Sequence, residues 1–241
     1  MKKILFLALA VCSVLTVTAA NPAPATAPAT APVCKSADPQ PDPLNKWTFF
    51  SIGLFPGIPA ANNTSNVYGI RSGWPICNGY GRVFGIEASW LFSGTAYMHG
   101  IQASWVSCWN KEFNGIEASF LYTGNEICGN GIQATLGVAM AGDIRGLQAS
   151  ALNISGNITG LQAAATVNVS DDIIGVQTSV ITNIAKNIIG AQAAAVNKAE
   201  ELTGVQFGIV NVAKAGGVQF GLINYIKDSK IPFFPFVNIY F

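Results

Sequence analysis

A short pattern of apolar and polar positions recurs along most of the chain. Each copy opens with glycine, followed by an apolar residue at +1, Glu or Gln at +2 and a small residue at +4, as in the stretch 146–153. A degenerate copy begins at Gly69. The ten clear copies begin 13–16 residues apart, at Gly85, Gly100, Gly115, Gly131, Gly146, Gly160, Gly175, Gly190, Gly204 and Gly217. Self-similarity at a short, nearly fixed period is the signature of a repeat architecture.

The alternation inside each copy predicts a β-strand. From +1 to +5, apolar positions alternate with polar or small ones, which is the period of two typical of a strand. The alternation breaks at +5 and +6, which are usually both apolar, and an Asn follows in the later copies. Because Asn tolerates a left-handed backbone, this break predicts a bend or bulge within each repeat.

Two all-β architectures accommodate such a unit. In a β-solenoid, each coil of about 15 residues stacks on the last at about 4.8 Å, and the Gln and Asn columns become hydrogen-bonded ladders. In an antiparallel outer-membrane barrel or meander, each repeat supplies one strand, because a spanning strand needs about 9–11 residues.

The loss of alternation favours the solenoid. The +1, +3 and +5 residues are rich in Ala in the middle copies, which predicts that they fill a thin interior. The absence of Lys and Arg between the glycine and +6 of the ten clear copies favours the barrel, as does the alternating apolar end at Phe241. We predict the solenoid and retain the barrel as the alternative.

Composition divides the chain into five segments. Residues 1–20 have a basic start and a short apolar run typical of an export signal. Residues 21–46 are rich in Pro and Ala and predict a linker. Residues 47–66 are predicted as a cap strand and loop, residues 67–226 as the repeat domain of about 11 units, and residues 227–241 as an aromatic C-terminal strand. The net charge of +1 gives no electrostatic reason to expect nucleic acid as a partner.

Four cysteines follow the predicted signal, and an even number in an exported chain permits disulfides. Cys77 and Cys108 both fall at +8, two coils apart, and about 9.6 Å is beyond disulfide reach. We expect Cys108 to pair with Cys128, and Cys34 and Cys77 to be either free or joined.

The search for catalytic chemistry finds little. The single histidine, His99, lies between repeats and is expected to be an exposed turn residue. Glu87 and Glu117 take the +2 position on either side of Gln102, about 9.6 Å apart in a stack, near the upper limit for an inverting glycosidase pair. Neither has a visible reason for a raised pKa, so we expect both to be ladder members. We predict no catalytic, cofactor-binding or metal-binding residue.

The last two repeats carry a resemblance. The stretches 204–213 and 217–224, with the opening at 67–70 and the ending at 232–235, resemble the bacterial surface-repeat proteins built on Gly-Leu-Gln-x-Gly-Leu-x-Asn units. The resemblance implies a cell-surface or outer-membrane location and no catalytic residues. We therefore expect an exported, non-enzymatic repeat protein with a structural or adhesive role, whose partners are components of the bacterial outer membrane or cell surface. A barrel that passes small solutes and a carbohydrate-active enzyme on a β-helix are the alternatives.

Overall fold

The computed structural model describes residues 46–55, 58 and 65–240. The predicted export signal and the predicted linker up to residue 45 lie outside the described residues. The described residues contain no helix long and apolar enough to cross a membrane. The strands are β1 Trp47–Gly53, β2 Asn66–Gly73, β3 Ile76–Ser89, β4 Phe92–Ser104, β5 Ser107–Ser119, β6 Tyr122–Thr135, β7 Val138–Ser155, β8 Ile158–Val169, β9 Asp172–Ser179, β10 Thr182–Ile184, β11 Asn187–Ala193, β12 Val196–Phe207, β13 Val210–Ala215, β14 Gly217–Ile226 and β15 Phe233–Tyr240.

Neighbouring coils are joined by parallel pairing in strict repeat register. Gly85 lies opposite Gly69 and Gly100, and the same glycine-on-glycine match continues up the stack to Gly204. The chain is therefore a β-solenoid of about 11 turns with coils of about 15 residues, as predicted. Because consecutive repeats run parallel, the antiparallel barrel or meander is not the architecture. Among the described strands, only β15 pairs antiparallel, against β14.

The predicted bend lies at +5 and +6. β3 ends at Ser89 and β4 begins at Phe92, so Trp90 and Leu91 form a corner between two strands. The Asn that follows is not needed for a left-handed backbone. Among the described residues other than glycine, only Phe236 has a positive φ. The asparagines instead point inward and have no exposed surface.

The prediction of which face is buried was wrong. Ile86 at +1 is 46% exposed, whereas Gln102 at +2 is 0% exposed. The +1, +3 and +5 side chains lie outside, and the polar +2 side chains lie inside. Alternation separates two faces of a strand, but it does not state which face is buried. Here the polar face can be buried because identical amides on neighbouring coils satisfy one another.

Four columns of side chains fill the interior of the coils. The −2 column is mostly apolar, the +2 column is Gln or Glu, and the +7/+8 column changes from Cys, Ser and Thr to Asn. The +9/+10 column is mostly small. The apolar column supplies Val67, Val83, Met98, Phe113, Ile144, Ile158, Ile173, Ile188 and Leu202 to the core.

The glutamine column is a continuous chain of side-chain hydrogen bonds. From Gln148 to Gln219, each Nε2 donates to the Oε1 of the preceding coil at 2.7–2.9 Å. From Asn153 to Asn224, the asparagine Nδ2 groups donate to the next Oδ1 at 2.8–3.1 Å. These are the ladders predicted from the repeat, and each glutamine from Gln148 to Gln206 is at once a donor and an acceptor, whereas Gln219 Oε1 at the end of the ladder is buried without a partner.

The backbone conformation and the close neighbouring coil require glycine at the marker position. Gly100 has φ +134°, and a Cβ there would collide with the carbonyl oxygen of Gly85 on the neighbouring coil. The same contact recurs from Gly85 to Gly204. A side chain at these positions is therefore excluded both by conformation and by the close approach of coils.

Replacement of one marker glycine should be costly. We expect Gly100→Ala to lower the free energy of unfolding by about 3 kcal/mol, because it adds a strained φ to a collision with backbone. Gly94→Ala is the control, since a Cβ at Gly94 would lie 3.3 Å from the Asn78 side-chain oxygen and its φ is ordinary. Denaturant unfolding measures both. Equal losses would contradict the role given to the marker glycine.

Interruption of the amide ladder should also be costly. Gln177 Nε2 donates to Gln162 Oε1 at 2.8 Å, and Gln192 Nε2 donates to Gln177 at 2.7 Å. Gln177→Leu leaves both buried partners without that bond, so we expect a loss of about 3 kcal/mol. Val176→Leu, on the outside of the same strand, should change stability by less than about 0.5 kcal/mol. If Gln177→Leu leaves the free energy of unfolding unchanged, the ladder contributes little to stability.

Candidate functional site

The two acidic residues singled out in the sequence lie inside the solenoid. Glu87 and Glu117 are both 0% exposed, with Gln102 between them in the ladder, as predicted. Gln102 Nε2 donates to Glu87 Oε1 at 3.0 Å, and Arg71 Nη1 lies 3.4 Å from Glu87 Oε2. Because both carboxyl groups lie inside the coils, a sugar cannot reach the space between them.

Burial raises the pKa of both carboxyl groups. For Glu87, the nearby Arg71 guanidinium opposes that effect of burial. For Glu117, burial raises the pKa to about 8, against hydrogen bonds from Asn125 and Asn110. The sequence showed no reason for a raised pKa at either residue, and the structure supplies one. The cause is the inward direction of the +2 column, which the sequence did not reveal.

Glu117 is a fault in the amide ladder. Asn125 Nδ2 donates to Glu117 Oε2 at 2.8 Å, but Glu117 Oε1, Thr123 Oγ1 and Asn125 Oδ1 are buried without a hydrogen-bond partner. Gln133 on the next coil donates to the Met140 carbonyl at 3.2 Å. A carboxyl group has one O–H donor when it is protonated and none when it is ionised, whereas the Gln amide has two N–H donors, so Glu117 does not continue the hydrogen-bond chain as Gln does.

His99 lies in strand β4 and not in a turn. It is exposed, as predicted, and its ring stacks on Phe84 at 4.7 Å between centroids. Partial burial and the nearby Arg82 lower the pKa of His99, while Glu112 raises it. No Ser or Cys is hydrogen-bonded to it in the described structure, and no three His, Cys, Asp or Glu side chains there converge as metal ligands.

The predicted Cys108–Cys128 disulfide is wrong. Cys77 and Cys108 are free and buried, and they lie on either side of Ser93 in one column, two coils apart as expected. Cys128 is disulfide-bonded. Cys34 lies outside the described residues. Burial raises the pKa of the Cys77 thiol to about 12, so it is not a reactive thiolate near neutral pH.

The outer surface offers a more plausible site than the interior. We define the charge-free strip as the outward residues at +1, +3, +5 and +6 of the coils that begin at Gly69 to Gly217. No Lys, Arg, Asp or Glu occupies these positions, and every exposed charged side chain of residues 65–226 lies elsewhere on the coils. Exposed apolar residues of the strip include Ile70, Ile86, Ile101, Ile116, Ile132, Val176, Val180 and Ile181.

One edge of the strip carries an aromatic ridge, formed by the +5 residues Trp74, Trp90, Trp105 and Phe120. The rings of Trp74 and Trp90 stack at 5.1 Å, and those of Trp105 and Phe120 stack at 5.4 Å. Trp105 remains 63% exposed. Since stacking covers ring faces and leaves ring edges outward, the ridge suits apolar contact better than face-on stacking of a sugar.

An alanine groove continues the line of the ridge. At +5, Leu136 is followed by Ala151 and Ala165, and larger residues return at Val180, Ile209 and Leu222. The groove has a volume of about 460 Å³ and is lined by Ala118, Ser119, Ala134, Thr135, Leu136, Ala149, Ser150, Ala151 and Ala165. The ridge and the groove therefore result from one column whose residues change from large to small.

Comparisons with family models, curated proteins and solved structures found no match for this chain. The argument for a site therefore depends on the geometry alone. The absence of Lys and Arg from the start of each repeat was visible in the sequence and favoured the barrel, but the +1, +3 and +5 residues were predicted to lie in the interior. The uncharged positions in each repeat could have indicated the strip. What the sequence did not show is that these side chains point outward.

The buried carboxyl group of Glu117 should make stability depend on pH. The folded chain holds this proton up to about pH 8, whereas an unfolded chain releases it near the ordinary value of 4.5. The stabilisation is thus complete below pH 4.5 and is lost as the pH rises to about 8. We expect Glu117→Gln to remove this contribution, so that its stability advantage over the wild type grows by roughly 1.4 kcal/mol per pH unit in that window.

Denaturant unfolding between pH 5 and 8 measures the difference. Glu126→Gln is the matched control, because Glu126 is an exposed carboxylate in the same coil. Its difference from the wild type should not vary with pH. If the stability difference between Glu117→Gln and the wild type is also constant from pH 5 to 8, the assignment of a buried, protonated carboxyl group is contradicted.

Proposed function

We propose that the chain is an exported, non-enzymatic repeat protein of the bacterial cell surface or outer membrane, with a structural or adhesive role. The observation that supports this proposal is the charge-free strip, which crosses all the coils and carries both the aromatic ridge and the alanine groove. An apolar patch of this extent is typical of a contact surface and not of a monomer surface.

The arrangement of reactive groups supports a non-enzymatic role. Glu87, Glu117, Cys77 and Cys108 have the raised pKa values that often mark active sites, but all four are buried inside the coils. The alanine groove is lined by Ala, Ser, Thr and Leu, and none of these is paired with a base in it. The groove suits binding better than catalysis.

The two alternative functions receive less support. A carbohydrate-active enzyme would need its two acids on either side of a bound sugar, and Glu87 and Glu117 have no exposed surface. A protein that passes small solutes would need an open lumen, whereas the Gln, Asn and apolar columns fill the inside of the coils.

Cell fractionation tests the proposed location. We expect the chain in the envelope or surface fraction, with exposed lysines such as Lys111, Lys186 and Lys214 modified by an amine reagent that does not cross membranes. A variant that lacks residues 2–20 is the matched control and should stay in the cytosol, unlabelled on whole cells. Recovery of the unaltered chain from the cytosol would contradict the proposal.

A further inference from the structure

The charge-free strip is exposed and has no partner among the described residues. It includes Trp105 at 63% exposure and Leu136 at 70% exposure. The exposed charges of coils 65–226 lie outside it. A surface that covers it must therefore be apolar and flat enough to follow a sheet.

The strip is complementary to itself along the coil axis. Its aromatic ridge occupies the earlier coils, and its alanine groove occupies the coils directly after them, in the same +5 column. Consider a two-fold axis that lies between two copies, parallel to the strands and level with the step from Phe120 to Leu136. This axis places Trp105 of one copy over Ala151 of the other, and Trp90 over Ala165. It also brings Phe120 over Leu136 next to the axis and Trp74 over Val180 at the end of the overlap, where both side chains are large.

We propose that the charge-free strip binds a second copy of this chain, face to face and with antiparallel coil axes, so that Trp90 and Trp105 of each aromatic ridge fill the partner's alanine groove. This inference builds on the proposed function, since it names the partner of the same surface. The two-fold arrangement is isologous, so the contact closes after two copies.

The size of the overlap fits a stable dimer. About eight coils overlap around this axis, which gives about 38 Å of length, and the residues from +1 to the corner at +6 give at most about 20 Å of width. The buried surface is then about 770 Å² per copy, within the range of specific interfaces of about 1,200–2,000 Å² in total. No charged side chain is desolvated, because none lies in the strip.

The mass of the purified full-length chain in detergent-free buffer tests this directly. We expect twice the chain mass by light scattering at micromolar concentration. Trp105→Lys and Ala151→Glu should each shift the protein to the monomer, with at least a tenfold weaker dimer, because each buries a charge against an apolar partner. Trp109→Lys is the control, since Trp109 is 41% exposed but lies at +9, outside the strip, and it should remain dimeric.

Mixing the two disrupted variants separates a lost interface from a lost fold. In a mixed dimer, the Trp105→Lys side chain meets the Ala151→Glu side chain in one of the two contacts, and the other contact is native. We expect the mixture to regain the dimer mass while each variant alone stays monomeric. Failure of the mixture to associate would overturn the ridge-in-groove arrangement.

Two other results would also overturn the proposal. One is a wild-type monomer in buffer that sediments with phosphatidylcholine vesicles, since the strip would then cover a lipid surface. The other is a dimer that Trp109→Lys weakens as much as Trp105→Lys does. Neither result bears on export, so fractionation continues to test the proposed function independently.

Discussion

The structure depends on coil-on-coil register. Because each repeat lies in register on the repeat before it, every side chain meets its own equivalent about 4.8 Å away. A side chain amide is well suited to this repetition, since its NH₂ group donates to the coil before it while its oxygen accepts from the coil after it. The result is a buried polar column in which the side chains from Gln148 to Gln206 satisfy one another without water.

The same requirement explains the faults in the column. A carboxyl group lacks the NH₂ group with which Gln bonds to the coil before it, so Glu117 interrupts the chain of bonds, and buried oxygen atoms around it have no partners. Glu87 is supported differently, by Gln102 on one side and Arg71 on the other. At the +2 position, the first coils thus carry Arg, Glu and Gln, whereas the later coils carry Gln alone. Protonation of this column therefore affects mainly the first coils.

Periodicity was sufficient to predict the solenoid, its ladders and the corner at +5 and +6. It was not sufficient to predict which side chains are buried. Hydrophobicity suggested that Ile86 and its equivalents are inside, but the amide column takes that place and leaves them in solvent. Apolar residues then had to occupy the outside, so the charge-free strip follows from the polar interior. The disulfide was mispredicted because pairing depends on distances that residue spacing does not give.

Uniform repeats carry a risk, because a coil shifted by one repeat would still match most of its ladder partners. The residues that depart from the consensus oppose such a shift. Gly129 takes the −2 position where most other coils carry a large apolar residue, and the Phe113 ring fills the space that a Cβ there would need. The buried Arg71–Glu87 pair is also matched only between its own two coils. A shift by one coil would place a large side chain against Phe113 and leave a buried charge alone, which costs several kcal/mol. The irregular copies at the start of the stack therefore help to fix the register in which the coils pair.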